Sequence, residues 1–204
     1  MRVSDNAPRD TFRRRIGPEE ETSTAVVSAV AETTCTDPLE LSPLYDVIDP
    51  DALDRVFAAA GSDRDGGGRV AFPFGDRWVA ARSEGEVIVV REELNAPRDE
   101  TYRARHEWTA DAHLSDTLLR ALEGLSRRRD LARAEPLAAT VDPDALDRLF
   151  RPLGERSRRN DGWLSFPFEG YAVTVEASGR IRIAPASRFP TDRRGDGEKR
   201  EDDR

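Results

Sequence analysis

The sequence of 204 residues has one cysteine, two histidines and no long apolar run, and these scarcities limit its chemistry. With Cys35 alone, the chain can form neither an internal disulfide nor a cysteine-rich metal site. The lack of any run of about 18 apolar residues excludes a membrane-spanning helix. The first 21 residues also lack the apolar stretch of an export signal. We therefore expect a cytoplasmic protein without a membrane partner.

Lysine is nearly absent as well. Lys199 is the single lysine among 32 basic residues, and 40 acidic residues give a net charge of −8. An excess of hydrated carboxylates helps to keep proteins in solution in concentrated salt. The composition favours a proteome adapted to such salt, and a GC-rich genome is the alternative explanation of the arginine bias.

The chain does contain an internal repeat. The string DPDALDRVF begins at Asp49 and DPDALDRLF begins at Asp142, and the two strings differ at one position. The similarity continues forward through residues 68–89 and 162–183. Such self-similarity predicts two related domains. The predicted boundaries are a disordered tail at 1–21, copy one at 22–93, a polar linker at 94–111, copy two at 112–185 and a disordered charged tail at 186–204.

Each repeated string has the features of a helix start. Asp49 and Asp142 stand at the N-cap position, and the proline after each loses nothing by its missing N–H. The apolar residues that follow recur at helical spacing and predict a buried face. They are Leu53, Val56 and Phe57 in copy one, and Leu146, Leu149 and Phe150 in copy two. A cation site is the alternative, but the string lacks the glycine turn and distal glutamate of a calcium loop.

The rest of each copy predicts one more helix and three strands. Upstream apolar stripes indicate the helix: Val26, Val27 and Val30 in copy one, and Leu118, Leu119, Leu122 and Leu125 in copy two. Downstream, apolar residues alternate along three segments separated by glycine-containing turns. Pro73 and Pro167 cannot donate to a ladder, so we expect the first strand at a sheet edge. The fold class is α+β, with two tandem copies of a small helix-helix-three-stranded antiparallel meander domain.

The segment DPLELSPLYDVIDPDALDRVF, between an amphipathic helix and a strand meander bounded by glycines, resembles the halobacterial output domain family. Copy one is similar throughout. Copy two lacks the DPLEL lead-in and has Ala138 where copy one has Tyr45. The resemblance implies a haloarchaeal protein with a role in signal transduction or regulation. Members of the family occur alone or behind signalling modules and have no established catalytic activity.

We predict no catalytic, metal or cofactor site. His106 and His113 lie in or near the linker, whereas a duplicated enzyme would carry its base inside the repeated unit. The sequence contains no nucleophile elbow and no metal-ligand spacing. Three glycines at 66–68 follow a helix and precede a strand, which is the reverse of a nucleotide-binding loop. We therefore expect no enzyme activity.

One predicted binding surface is the sheet face that points away from the helices. In copy one this face carries Ala71, Trp78, Ala80, Ile88 and Val90, whereas copy two carries Trp163, Ser165, Ala172, Thr174, Arg180 and Arg182 there. Because exposed apolar patches mark interfaces, we expect the patch to bind an unknown protein partner or to mediate self-association. Coverage by the chain's own linker or by copy two is the alternative.

The arginine clusters of copy two form a second candidate surface. Residues 22–93 carry 14 acids and six bases, whereas 114–185 carry 11 acids and 12 bases. The clusters are Arg127, Arg128 and Arg129, and Arg156, Arg158 and Arg159. Such clusters can contact phosphates, but no recognition helix or RNA-binding aromatic signature accompanies them. The expected function is a non-catalytic output module acting through protein–protein interaction, with transcription-associated nucleic-acid binding as the alternative.

Overall fold

Four α-helices occur within the residues that the structure, a computed structural model, describes: 11–58, 67–126, 136–152 and 161–186. They are α1 (Thr22–Thr34), α2 (Pro50–Arg55), α3 (Leu114–Ser126) and α4 (Pro143–Leu149). The predicted stripes are buried at Val26, Val30, Leu118 and Leu122, whereas Leu119 lies at the margin of its stripe and is 40% exposed. None of these helices has the length and apolarity that crossing a membrane requires.

Eight strands form one antiparallel sheet in the order β1-β4-β3-β2-β6-β7-β8-β5. The strands of copy one are β1 (Phe12–Arg15), β2 (Arg69–Phe74), β3 (Arg77–Arg82) and β4 (Glu86–Val90). Those of copy two are β5 (Tyr102–Arg105), β6 (Trp163–Phe168), β7 (Tyr171–Glu176) and β8 (Arg180–Pro185). Each copy contains the predicted meander, and the α+β class and the tandem copies are confirmed.

Each copy also has a fourth strand that we did not predict. Strand β1 pairs with β4, and β5 pairs with β8. The expected disordered tail at 1–21 is therefore wrong at β1, and the expected polar linker at 94–111 is wrong at β5. Charged residues blunt exposed sheet edges, and the sequences FRRR and YRAR consequently show little apolar alternation. The rest of the predicted tails, 1–10 and 187–204, lies outside the described residues.

The first strand of each meander lies at the centre of the sheet, so the predicted edge position is wrong. Strands β2 and β6 pair with each other across only three residues each, 69–71 and 163–165. Pro73 and Pro167 lie two residues beyond this shared ladder. Their missing N–H groups therefore remove no bond between the copies, and proline is tolerated in a strand that is paired on both sides.

The pairing of β2 with β6 follows a local two-fold axis. Val70 pairs with Leu164, its counterpart in copy two, and Arg69 pairs with Ser165 while Ala71 pairs with Trp163. In a two-fold contact each surface meets its own equivalent, and this register has that reciprocity. The copies therefore form one continuous sheet.

The helices cover one face of this sheet, as the alternation predicted. The inward residues are Phe72, Phe74, Val79 and Val87 in copy one, with Phe166, Phe168, Val173 and Ile181 as their counterparts, and all are buried in the main core. A slip of one residue would have sent each of these side chains to the opposite face. The predicted register is confirmed.

Candidate functional site

The two repeated strings start their helices as predicted. In copy one, Asp49 Oδ1 accepts a hydrogen bond from the backbone N–H of Ala52 at 3.0 Å. In copy two, Asp142 Oδ1 accepts from the backbone N–H groups of Asp144 and Ala145 at 2.9 and 3.1 Å. These bonds satisfy N–H groups that the first turn of a helix cannot bond internally. The N-cap prediction is confirmed for both strings.

The same strings also contact each other across the local two-fold axis, which the sequence did not indicate. The backbone N–H of Asp49 donates to Leu149 O, and that of Asp142 donates to Val56 O, each at 3.1 Å. The donors are equivalent positions of the two copies, and so are the acceptors. Each helix start is thus bonded to the end of the other copy's helix.

Charged side chains make a second pair of reciprocal contacts between the two strings. Arg148 donates to Asp49 Oδ2 at 3.1 Å, and Arg55 Nε lies 3.7 Å from Asp142 Oδ2. Each aspartate uses one carboxylate oxygen to cap its own helix and the other to meet an arginine of the other copy. Within the described residues, no group of three or more acidic, histidine or cysteine side chains is placed to hold a metal ion. The repeated string is therefore both a helix start and the contact between copies.

The third aspartate of each string caps the neighbouring helix. Asp54 accepts bonds from the N–H and hydroxyl groups of Ser23 at 2.7 and 2.8 Å. Asp147 makes the same pair of bonds with Ser115 at 2.7 and 3.0 Å. A serine near the start of the first helix in both copies was the available signal, but its partner lies about 30 residues away and helical spacing does not reveal it.

The outer face of copy one, which we expected to bind a partner, is covered by the chain itself. Ala80, Ile88 and Val90 are buried, and only Trp78 is half-buried. The side chains that share this second cluster are Ala71, Trp163 of copy two, and Leu94 and Ala96 of the linker. Coverage by the linker and copy two, which was the alternative, is what the structure shows for Ala80, Ile88 and Val90.

Specific bonds hold the linker on this face. The indole Nε1 of Trp163 donates to Leu94 O at 2.6 Å. Arg182 Nη1 donates to Pro97 O at 2.9 Å, and its Nη2 lies 2.7 Å from Glu176. The outer face of copy two thus supplies polar anchors and the apolar ring of Trp163, while that of copy one supplies apolar surface.

A cavity of about 550 Å³ opens between the linker and the sheet. Its lining includes both indoles, Trp78 and Trp163, together with Arg98, Arg182 and Glu176. The indoles offer flat apolar surface, and the charged side chains are of both signs. The cavity lining therefore favours neither an anion nor a cation.

His106 is buried where the linker joins copy two. Its Nδ1 lies 2.9 Å from Thr117 Oγ1, and its ring packs edge-on against Trp108 at 4.6 Å. Trp108 in turn donates from Nε1 to Ala177 O at 2.8 Å. Burial lowers the pKa of His106, and the negative charge of Asp147 opposes that shift. His106 therefore belongs to the packing of this junction.

The arginine clusters proposed for nucleic acid lie outside the described residues, in 127–135 and 153–160. They comprise Arg127, Arg128, Arg129, Arg156, Arg158 and Arg159. Nucleic-acid binding through them stays a prediction.

Comparison with known proteins adds one finding. The family model of halobacterial output domain 1 matches the chain twice, over residues 18–91 and 112–185. Each match spans the helices and the meander of one copy and leaves out the strand that precedes them, β1 or β5. Searches of curated proteins and of solved structures found no match.

Proposed function

Because this chain belongs to the halobacterial output domain family, we propose that it is a non-catalytic signalling or regulatory module that acts by binding a protein partner. The family suggests a signalling output role. The observation that carries the proposal is the double match, since both copies are output domains.

The fold supports a binding role because it holds the different outer faces of copy one and copy two in a fixed orientation. The shared β2–β6 ladder and the reciprocal contacts of Asp49 and Asp142 join the copies into one unit. Preorganised surfaces lose little conformational freedom on association, which favours binding. Within the proposed interaction face, Trp78 is the residue that a partner can reach while the linker stays in place, since it is half-buried and lines the cavity.

The proposal is tested by purifying the tagged full chain from its source cells at native salt, with and without nuclease. We expect specific proteins to co-purify in both cases, and Trp78→Arg to lower their recovery while leaving the fold of copy one intact. Ala172→Arg is the matched control, because Ala172 occupies the position of Trp78 in copy two.

Other outcomes contradict the proposal. Unfolding of copy one by Trp78→Arg would make this residue part of the core rather than of an interface. Equal recovery with Trp78→Arg and with Ala172→Arg would exclude this face as the contact. A chain that recovers no specific protein and shifts nucleic acid in a salt-dependent way would support the alternative function.

A further inference from the structure

The turn between α1 and α2 of copy one presents apolar side chains to solvent. Leu39 is 94% exposed and Tyr45 is 50% exposed. Single exposed leucines are common on protein surfaces and need no explanation by themselves. Leu39 differs from such residues in two ways: hydrogen bonds hold its turn, and the charged residues near it in the chain are all acidic.

Hydrogen bonds hold this turn at its start, and a buried side chain holds it at its end. After α1, the N–H of Thr36 donates to Ala31 O at 3.1 Å. Asp37 Oδ1 then accepts from the N–H of Leu39 at 2.9 Å and caps a short 3-10 turn, which the N–H of Glu40 closes by donating to Asp37 O at 2.9 Å. Leu44 is buried in the core and anchors the far end. Leu39 is thus displayed from an ordered segment, which limits the conformational entropy lost when it is bound.

The charge around Leu39 is of one sign. Residues 16–54 contain ten acids and no lysine, arginine or histidine. Among the described residues, Asp37, Glu40 and Asp46 make no ion pair, although Asp49, close by, pairs with Arg148. These carboxylates therefore lie near Leu39 in the chain and have no ion-pair partner among the described residues, although the chain is rich in arginine.

The sequence of copy two differs at this segment. It keeps the anchor, since Leu137 is buried like Leu44, but it has Ala138 in place of Tyr45 and lacks the DPLEL lead-in. The sequence that carries the exposed apolar and acidic side chains of copy one is therefore not part of what the two copies share.

We propose that residues 37–46 form a docking turn, which inserts Leu39 into an apolar pocket of a partner protein whose rim carries arginine or lysine. Complementary potentials steer such partners together, and like charges exclude acidic ones. The apolar contact supplies affinity because it removes nearly the whole leucine side chain from water. This inference rests on the proposed function and names the surface and the chemistry of the partner.

The test places a photoreactive benzophenone side chain at position 39 of the full chain in its source cells. We expect irradiation to give an adduct with a different protein, mapped to a segment that contains arginine or lysine. Excess wild-type chain should compete with adduct formation, and chain carrying Leu39→Ala should need about tenfold higher concentration. A competitor chain that carries both Asp37→Asn and Glu40→Gln keeps the oxygen that accepts the cap hydrogen bond. This double variant should compete more weakly than the wild type, and its competition should depend less on salt.

Benzophenone at position 119 is the control, because Leu119 is an exposed leucine of α3. The proposal is overturned if position 39 gives no adduct, an adduct within its own chain or with a second copy, or the same adduct as position 119. It is also overturned if the mapped segment has no basic residue, or if Leu39→Ala competes as well as the wild type. If one of these outcomes occurs but co-purification still recovers a partner whose binding depends on Trp78, the docking turn is excluded and the proposed function stands.

Discussion

Copy one has Ile16 where copy two has His106, and both residues follow the outermost strand of their copy. The N–H of Ile16 donates to Gly85 O at 2.8 Å, and the N–H of His106 donates to Gly179 O at 2.7 Å. The backbone contact has been kept while the side chain has changed. The repeated strings have also been kept, since both copies share the helix caps and the contacts across the local axis.

The outer surfaces of the copies have diverged much further. Trp78 corresponds to Ala172, and Arg69 corresponds to Trp163, so the two indoles that line the cavity come from different strand positions. Copy one also has the acidic turn around Leu39, whereas the sequence of copy two lacks the DPLEL lead-in. The comparison teaches that the duplicated fold depends on backbone pairing, helix caps and inward residues, and that the other positions were free to acquire separate roles.

The largest effect is expected in the shared core. Phe72 and Phe166 are equivalent and fully buried, so Phe72→Ala and Phe166→Ala should each lower the free energy of unfolding by about 3–5 kcal/mol. Because the copies share one sheet, each variant should unfold in a single transition, measured by denaturant titration with circular dichroism. Two separated transitions would show that the copies fold independently and that the central ladder is weak.

A smaller and unequal effect is expected at the two caps. The side chain of Asp49 is 9% exposed and meets its arginine at 3.1 Å, whereas that of Asp142 is 30% exposed and meets its arginine at 3.7 Å. We expect Asp49→Ala to lower the free energy of unfolding by about 2 kcal/mol and Asp142→Ala by about 1 kcal/mol. Asp49→Asn keeps the cap acceptor and should recover part of the loss.

Asp142→Ala should leave binding unchanged. If Asp142→Ala instead abolishes partner binding while the melting temperature stays normal, the repeated string is a functional site and its role is not limited to capping a helix.

The smallest effect should appear as a pH dependence of stability that arises from one residue of copy two. His106 is 2% exposed, and burial lowers its pKa below the value of about 6.5 that it has when unfolded. Below that pH the unfolded chain binds a proton that the folded chain resists, so stability should fall as the pH drops from 7 toward 5. His106→Ile, which installs the residue of copy one, should flatten this part of the curve of melting temperature against pH. An unchanged slope would place the titrating group elsewhere.

Local features made much of the fold predictable. Helix starts at Asp49 and Asp142, the apolar stripes and the alternation of the strands depend on neighbours within a few residues, and the sequence shows such neighbours directly. The inward register of Phe72 and Phe166 follows from the same alternation. The repeat and its resemblance to a family could be seen for the same reason, because both are properties of the string of residues.

Contacts between distant segments were decided only by the tertiary structure. Strands β1 and β5 form because an edge was available for pairing, although their own residues are mostly charged. Likewise, the patch of Ile88 and Val90 has the same local pattern whether a partner or the linker covers it. The sequence by itself determined the repeated helices, the meander and the inward faces, since these depend on periods of two and 3.6 residues. The meeting of the two strings, the central place of β2 and β6 and the coverage of the outer face depend on pairings about 70 to 100 residues apart, which no local period encodes.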